Sequence, residues 1–263
     1  MPGTTLARVL DALEEIAPLE LAADWDNVGL LLDPRGRRHR IERILLTIDL
    51  TDDVVAEARF TRSDLVVAYH PAIFQPLRRL GVGDGKQRAL LGSVAAGFAL
   101  YSPHTALDAA PGGIADWLAD GVLGGDEPAG REPCGDGEFG RVVELPRPIP
   151  FARFVQRIKQ HLGRRQLQVA RAPTSKSVRS AAVAAGAGGS IVRGESVDVI
   201  LTGEMSHHDV LAALANGTSV VLAGHTNTER GYLKILRKRL RSALGDDVDI
   251  AISKSDRDPI AIV

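Results

Sequence analysis

The chain has 263 residues, of which 44% are hydrophobic and 25% charged, and its formal net charge is −1. This balance is typical of a soluble globular protein and excludes a disordered chain; it also argues against a nucleic-acid partner, because such proteins usually carry a basic excess. No apolar run of about 18 residues and no signal-peptide pattern is present, so we expect no membrane partner.

The first predicted element is an amphipathic helix over residues 5–16, where apolar residues recur at helical spacing behind Thr4 or Thr5 as the N-cap. Three buried strands are then predicted in the segments "RILLTIDLTDDVVAEA", "SDLVVAYHP" and "GFALYSPHT", the first of which continues into a helix. Strands that alternate with helices predict an α/β fold with parallel or mixed sheets flanked by helices.

The Gly-rich segment 124–140 is predicted to be a long loop or a boundary between lobes. We therefore divide the chain into an N-terminal α/β lobe, residues 1–125, and a C-terminal α/β part, residues 126–263. The second part begins with a short central insert at about 126–177. It continues with strand, turn and helix patterns.

The cysteine content and one basic stretch add two expectations. Cys134 is the single cysteine, which excludes an internal disulfide and an all-thiolate metal site and fits a reducing compartment. We expect a cytoplasmic protein. The short basic stretch "RGRRHR" (35–40) is interpreted as a solvated loop, since most polar runs of this kind are.

Polar clusters follow three predicted strands: "YHP" (69–71), "HTALD" (104–108) and "GHTNTE" (224–229). In the last two, a histidine and a carboxylate are four residues apart, a spacing that makes side chains neighbours on a helix. If the strands share a sheet, the clusters converge on one edge. The candidate metal ligands are His70, His104, Asp108, His225 and Glu229.

Imidazole nitrogens and carboxylate oxygens without thiolate suit Zn, Mn, Fe, Co or Ni. Five donors exceed the needs of one tetrahedral ion, and carboxylates bridge ions roughly 3.5 to 4 Å apart. The pattern therefore favours two divalent ions. A hydrogen-bonded turn is the alternative for each pair alone.

Three further polar or Gly-rich segments have two interpretations each. In "TGEMSHHD" (202–209), helix capping and orientation of a ligating histidine are favoured over direct ligation. "DWDNVGLLLD" (24–33) is either a turn or the lining of a pocket. The Gly-rich turn at 186–190 lacks the pattern of a phosphate-binding loop, so a tight turn with close packing is favoured.

Taken in order, the blocks "WDNVGLLL", "YHPAIFQPL", "YSPHTALDAAPGG", "LTGEMSHHDVL" and "GHTNTERGYL" resemble the Nif-three-like family, also called the GTP cyclohydrolase I type 2 homologues. The resemblance covers nearly the whole chain. It implies two interlinked α/β lobes, a homo-oligomer that is a ring-like hexamer, and a dinuclear metal site in the cleft between the lobes. By the same resemblance, the last segment of the C-terminal part is expected to complete that metal cleft. The family's metal positions fall on the same five residues.

Tyr69 stands where many bacterial members of that family have a second histidine. "YHP", "YSPHTA", "GEMSHHD" and "SDRDP" are instead similar to the eukaryotic-type branch. The missing imidazole leaves three alternatives for the second ion: weaker binding, a water in its place, or coordination by the phenol oxygen.

Two hypotheses for function follow. The first is a metal-dependent hydrolase that acts on a nucleotide or phosphate-bearing small molecule, the substrate class that the family name suggests. In it Glu229 or Asp108 bridges the ions, and His208 transfers protons. The alternative is a non-catalytic metal-binding scaffold or regulatory protein that contacts protein partners.

Overall fold

A computed structural model describes residues 3–36, 40–173 and 175–261. The chain packs as two compact units, the first formed by Met1–Leu107 with Tyr232–Val263 and the second by Asp108–Gly231. The boundary predicted near residue 125 falls inside the second unit. The segment from Tyr232 onward belongs to the first.

The first unit contains a five-stranded sheet and a two-stranded one. Its strands are β1 (Thr4–Thr5), β2 (Gly29–Leu32), β3 (Arg40–Ile41), β4 (Arg43–Thr47), β5 (Leu65–Ala68), β6 (Ala99–Ser102) and β13 (Asp249–Ile252). The larger sheet has the order β13-β4-β5-β6-β2, in which only the β2–β6 pair is antiparallel. β1 and β3 pair antiparallel. Because β4, β5 and β6 are parallel, the residues that follow them lie at one edge of the sheet.

Helices cover the strands of the first unit. They are α1 (Leu6–Ile16), α2 (Asp52–Thr61), α3 (Gly85–Ala96), α9 (Leu233–Leu244) and α4 (His104–Ala109), which runs across the division between the units. Thr5 accepts a hydrogen bond from the Arg8 N–H and caps α1, as predicted. The periodic apolar face of α1 is buried, because an amphipathic helix gains stability by removing that face from water.

The second unit contains a six-stranded mixed sheet. Its strands are β7 (Gly130–Cys134), β8 (Gly140–Pro150), β9 (Gln168–Ala170), β10 (Ser177–Ala184), β11 (Val199–Thr202) and β12 (Ser219–Leu222). The order is β7-β8-β10-β11-β12-β9, with β10, β11 and β12 parallel and the other pairs antiparallel. Its remaining helices are α5 (Ile114–Leu123), α6 (Phe151–Leu162), α7 (Gly189–Val192) and α8 (His207–Ala215). The predicted α/β class with mixed sheets is confirmed.

The segments 124–140 and 35–40 contain strands that the sequence did not predict. The segment 124–140, predicted to be a loop, contains β7, which pairs antiparallel with β8. Its Gly, Pro and charged residues are depleted in strands, but pairing with a long neighbour overrides that weak preference. Of the basic stretch 35–40, residues 37–39 lie outside the described residues, and Arg40 begins β3.

Glu57 joins α2 to the segment that follows β13. Its carboxylate accepts hydrogen bonds from the Ser253 hydroxyl at 2.6 Å and from the backbone N–H groups of Lys254 and Ser255 at 3.0 Å. Partial burial raises the pKa of Glu57, but these hydrogen bonds outweigh it and hold the pKa below the ordinary value of 4.5. The charged carboxylate is therefore the form that stabilises the fold.

We expect Glu57→Gln to lower the free energy of unfolding by about 1 kcal/mol at pH 7, since a hydrogen bond to a charged group is lost. A depressed pKa contributes stability above pH 4.5 that is lost as the pH falls through the folded-state pKa. The difference from wild type should thus be smaller at about pH 3 than at pH 7. Urea unfolding of wild type and variant at pH 7 and at about pH 3 measures this difference in the free energy of unfolding. Glu15→Gln, at an exposed glutamate of α1, is the control, and an equal loss at both pH values would contradict the prediction.

Candidate metal centre

In the first unit, two candidate ligands lie at the carboxyl edge of the five-stranded sheet. His70 follows β5 by two residues, and His104 opens α4 after β6. The centroids of the two imidazole rings are 5.5 Å apart. Because β5 and β6 are parallel neighbours, the clusters at 69–71 and 104–108 share one sheet edge, as predicted. The prediction is wrong for the third cluster, 224–229, because it follows β12, a strand of the six-stranded sheet.

A carboxylate holds each of these histidines through its Nδ1 atom. His70 Nδ1 is 2.9 Å from Asp49 Oδ1, and His104 Nδ1 is 2.8 Å from Asp26 Oδ2. A carboxylate only accepts hydrogen bonds, so Nδ1 carries the proton and Nε2 keeps its lone pair. Metal-binding histidines are commonly oriented in this way, which leaves Nε2 available to an ion.

Asp26 makes further contacts that fix its charge. Its side chain is buried and accepts hydrogen bonds from the backbone N–H and the hydroxyl of Thr105 as well as from His104. Burial raises the pKa of Asp26, but the hydrogen bonds from His104 and Thr105 outweigh it and hold the pKa below its usual value. His104 also has a positive φ of 26°, a strained backbone that functional sites often retain.

In the second unit, His225 and Glu229 follow β12. They flank a 3-10 helix at Thr226–Thr228, and His225 Nε2 is 3.4 Å from Glu229 Oε1. The predicted pairing of these side chains is confirmed, although a 3-10 turn rather than an α-helix brings it about. Glu204, which follows β11, lies 3.1 Å from His225 Nδ1, so the predicted orienting role of the "TGEMSHHD" segment is confirmed.

Gly186 makes room for this pair. Its φ is +55°, and a Cβ built there would lie 2.6 Å from Glu229 Oε1 and 2.9 Å from His225 Nε2. The Gly186 N–H donates to Thr228 Oγ1 at 2.8 Å. The prediction of a tight turn with close packing is confirmed, and the structure adds that the turn approaches two candidate metal ligands.

The burial of Glu229 bears on what it can bind. Its residue surface is only 1% exposed. A buried carboxylate is costly unless it is paired or coordinates a metal. His70, His225 and Glu229 are able to ligate a metal ion, each through one atom: an imidazole nitrogen or a carboxylate oxygen. Nitrogen and oxygen donors fit the divalent ions that the sequence favours.

The two remaining sequence candidates occupy different environments. Asp108 is buried and lies one helical turn after His104 in α4. His208 is exposed on α8, whose N-cap Ser206 accepts a hydrogen bond from the Asp209 N–H. The predicted capping role of this turn is confirmed, and the proton-transfer role of His208 stays a prediction.

Aromatic side chains surround His104, a feature that the sequence did not reveal. Tyr69 is buried, with its ring centroid 5.3 Å from that of His104. Trp25 and Phe74 lie 6.3 and 6.4 Å from the same ring, and Trp25 is 62% exposed. The histidine therefore has an aromatic surface beside it that is open to a ligand.

Cys134 is a poor candidate nucleophile. It is buried, and that burial together with the charge of Glu195 raises the pKa of its thiol to about 12. The thiol is therefore protonated at neutral pH, whereas the thiolate is the nucleophilic form.

Helices long and apolar enough to cross a membrane are absent from the described residues.

A mixed α/β fold whose strand-end histidines are held at Nδ1 by carboxylates is compatible with a bound metal ion. The sequence model of the Duf34/NIF3 (NGG1p interacting factor 3) family matches residues 4–259. The chain belongs to that family, which confirms the resemblance seen in its sequence blocks.

Similar proteins include eukaryotic ones. The "Protein NIF3 homolog" of Schizosaccharomyces pombe is 41% identical, over 97% of this chain and 96% of its own length. "NIF3-like protein 1" of Drosophila melanogaster is 40% identical, over 99% of this chain and 90% of its own length. A crystal structure of a Bacillus cereus protein related to NIF3 matches with a TM-score of 0.85 at 18% identity, over 99% of each chain. That last likeness supports the fold alone.

Proposed function

We propose that the protein is a metal-dependent hydrolase that acts on a nucleotide or another phosphate-bearing small molecule. Its proposed metal ligands are His70, His104, Asp108, His225 and Glu229, and the proposed site is dinuclear. The observation that carries the proposal is the carboxylate partner on Nδ1 of all three histidines.

These orienting carboxylates fit the residues to a divalent ion. Asp49, Asp26 and Glu204 each hold one imidazole ring in a fixed orientation. The ring is therefore already restricted before an ion binds, and binding costs less conformational entropy. Negative charge behind the ring also makes Nε2 more basic and a stronger ligand. Histidines that served only as hydrogen-bonded turns would not require such a partner three times.

Bound divalent ions would supply two kinds of chemistry, a lower pKa for a coordinated water and polarisation of a phosphoryl oxygen. Glu229 and Asp108 are the carboxylates suited to bridge two ions. His208 is the proposed proton-transfer residue, with its exposed ring on α8. Trp25 and Phe74, exposed beside His104, offer a surface for a nucleobase, which favours a nucleotide among the phosphate compounds.

Tyr69 affects only the second ion in this proposal. Its buried ring packs against both first-unit histidines, with its centroid 4.9 Å from that of His70 and 5.3 Å from that of His104. Weaker binding, a water, and coordination by the phenol oxygen remain the three alternatives. Counting ions per chain separates the first from the other two.

The proposal includes the oligomeric state of the protein and its location in the cell. We propose a homo-oligomer of six copies, in line with the family resemblance, and a gel-filtration mass of a monomer would contradict it. A cytoplasmic location is proposed because the single cysteine forms no internal disulfide.

A non-catalytic metal-binding scaffold is the second candidate. It is favoured by the family description, which names an interacting factor. Metal binding without turnover would support this candidate over the hydrolase.

The test counts metal ions and then measures hydrolysis of nucleotides and simple phosphoesters by the loaded protein. His225→Ala and Glu229→Gln should both lose metal. His208→Gln should keep the metal and lose about 100-fold or more in kcat, as removal of a general acid or base does. His207→Gln, next to it on α8, is the matched control and should behave as wild type. Retention of metal in both ligand variants would contradict the proposed ligand set.

A further inference from the structure

A polar cavity of about 640 Å³ lies in the first unit. Its lining includes Arg43, the first residue of β4, and Asp64 and Phe98, which immediately precede β5 and β6. It thus lies at the amino ends of these parallel strands. His70 and His104 follow the carboxyl ends, so the cavity is separate from these two proposed metal ligands.

Arginine side chains dominate the lining. Five guanidinium groups face two carboxylates, those of Glu42 and Asp64, although the whole chain has a net charge of −1. The arginines are Arg35, Arg40, Arg43, Arg59 and Arg62. Like charges gathered in one cavity repel one another, and a bound anion would relieve that repulsion.

Arg35 is held in place by the backbone beneath it. A Cβ on Gly97, the left-handed residue that ends α3, would lie 2.9 Å from Arg35 Nη2. The guanidinium therefore packs directly on the glycine. Asp64 offers it only a long ion pair of 4.0 Å, and Asp64 Oδ2 accepts hydrogen bonds from the backbone of Glu42 and Arg43.

Arg59 and Arg62 are the arginines best placed to meet a ligand. Both are exposed at the end of α2, and their side chains form neither a hydrogen bond nor an ion pair with another described residue. Basic residues are favourable at a helix C-terminus for electrostatic reasons alone. That reason does not explain Arg35, Arg40 and Arg43, which reach the same cavity from other segments.

We propose that this cavity binds a small oligophosphate anion, the diphosphate or triphosphate part of a small molecule. Guanidinium groups match pairs of phosphate oxygens with two parallel hydrogen bonds, and several such groups suit adjacent phosphates. The volume is in the range of small-ligand sites. A nucleic-acid backbone is a poorer occupant, because the net charge of the chain provides no basic excess beyond the cavity. The site goes beyond the proposed function and does not depend on it.

The test is isothermal titration of the full chain with inorganic triphosphate, in the presence of a chelator that removes divalent ions. Wild type should bind, and Arg59→Gln with Arg62→Gln should weaken binding at least about tenfold, because two charged hydrogen-bond donors are lost. Arg165→Gln with Arg179→Gln removes the same charge from exposed sites in the second unit and should leave binding unchanged. Circular dichroism checks that both double variants are folded.

Three outcomes would overturn the inference: no binding of triphosphate by wild type, equal loss in the two double variants, or binding of a short DNA duplex without binding of triphosphate. His225→Ala should keep its triphosphate affinity in chelator. That result separates this cavity from the metal ligands, so the hydrolase proposal and this one can fail independently.

Discussion

Gly186→Ala is expected to abolish metal binding in a protein that still folds. The added Cβ would lie 2.6 Å from Glu229 Oε1 and 2.9 Å from His225 Nε2, closer than real Cβ contacts. Glu229 is buried and has little freedom to move, so one or both ligands must leave their positions. Disturbance of residues that support metal ligands lowers affinity by about 10- to 100-fold, and displacement of the ligands themselves should cost at least that much. Competition with a metallochromic indicator measures the affinity.

Gly163→Ala provides a matched control for this variant. Gly163 ends α6 in the same unit and has a similar φ of +64°. A Cβ added at Gly163 would have no described atom within 4 Å. Both variants carry the strain of alanine in a left-handed conformation, about 1 kcal/mol or somewhat more. Only Gly186→Ala meets the ligands. Equal metal affinity in the two variants would show that the close approach has no part in binding.

The turn at Gly186 is predictable from the sequence, but the residues that it approaches are not. A run of glycines after an apolar strand predicts a tight turn, because this pattern depends only on residues adjacent in the sequence. What the turn approaches is not local, because His225 and Glu229 lie about 40 residues further along the chain. Only the parallel pairing of β10, β11 and β12 brings the segments together.

The orienting carboxylates illustrate the same limit. The strand-end positions of His70, His104 and His225 are visible in the sequence, because apolar runs end just before them. Their partners are less visible: Asp26 lies 78 residues before His104, and Asp49 comes two residues after β4, a different strand from the one that precedes His70. A polar residue just after the buried β4 was the signal available for Asp49. Glu204 was recognisable only because its segment is rich in polar residues.

Arg141→Ala is expected to cost about 3–5 kcal/mol of unfolding free energy, the range found when one partner of a buried ion pair is removed. Arg141 is buried at the start of β8, and its Nε donates to Asp116 Oδ1 at 2.9 Å. Its other nitrogens donate to the carbonyls of Glu138 and Gly140 and, from the end of α4, Ala109. The substitution leaves a carboxylate and three carbonyl oxygens without this donor.

Two variants test that account of Arg141. Arg147→Ala lies on the same strand but at an exposed position, and it should change the unfolding free energy by no more than about 0.5 kcal/mol. Arg141→Ala combined with Asp116→Ala should cost less than the sum of the single changes, because both single changes remove the same ion pair. Urea unfolding followed by circular dichroism measures the wild type, the single variants Arg141→Ala, Asp116→Ala and Arg147→Ala, and the double variant. Strict additivity, or a loss for Arg141→Ala no larger than for Arg147→Ala, would mean that the four hydrogen bonds of this guanidinium do not stabilise the second unit.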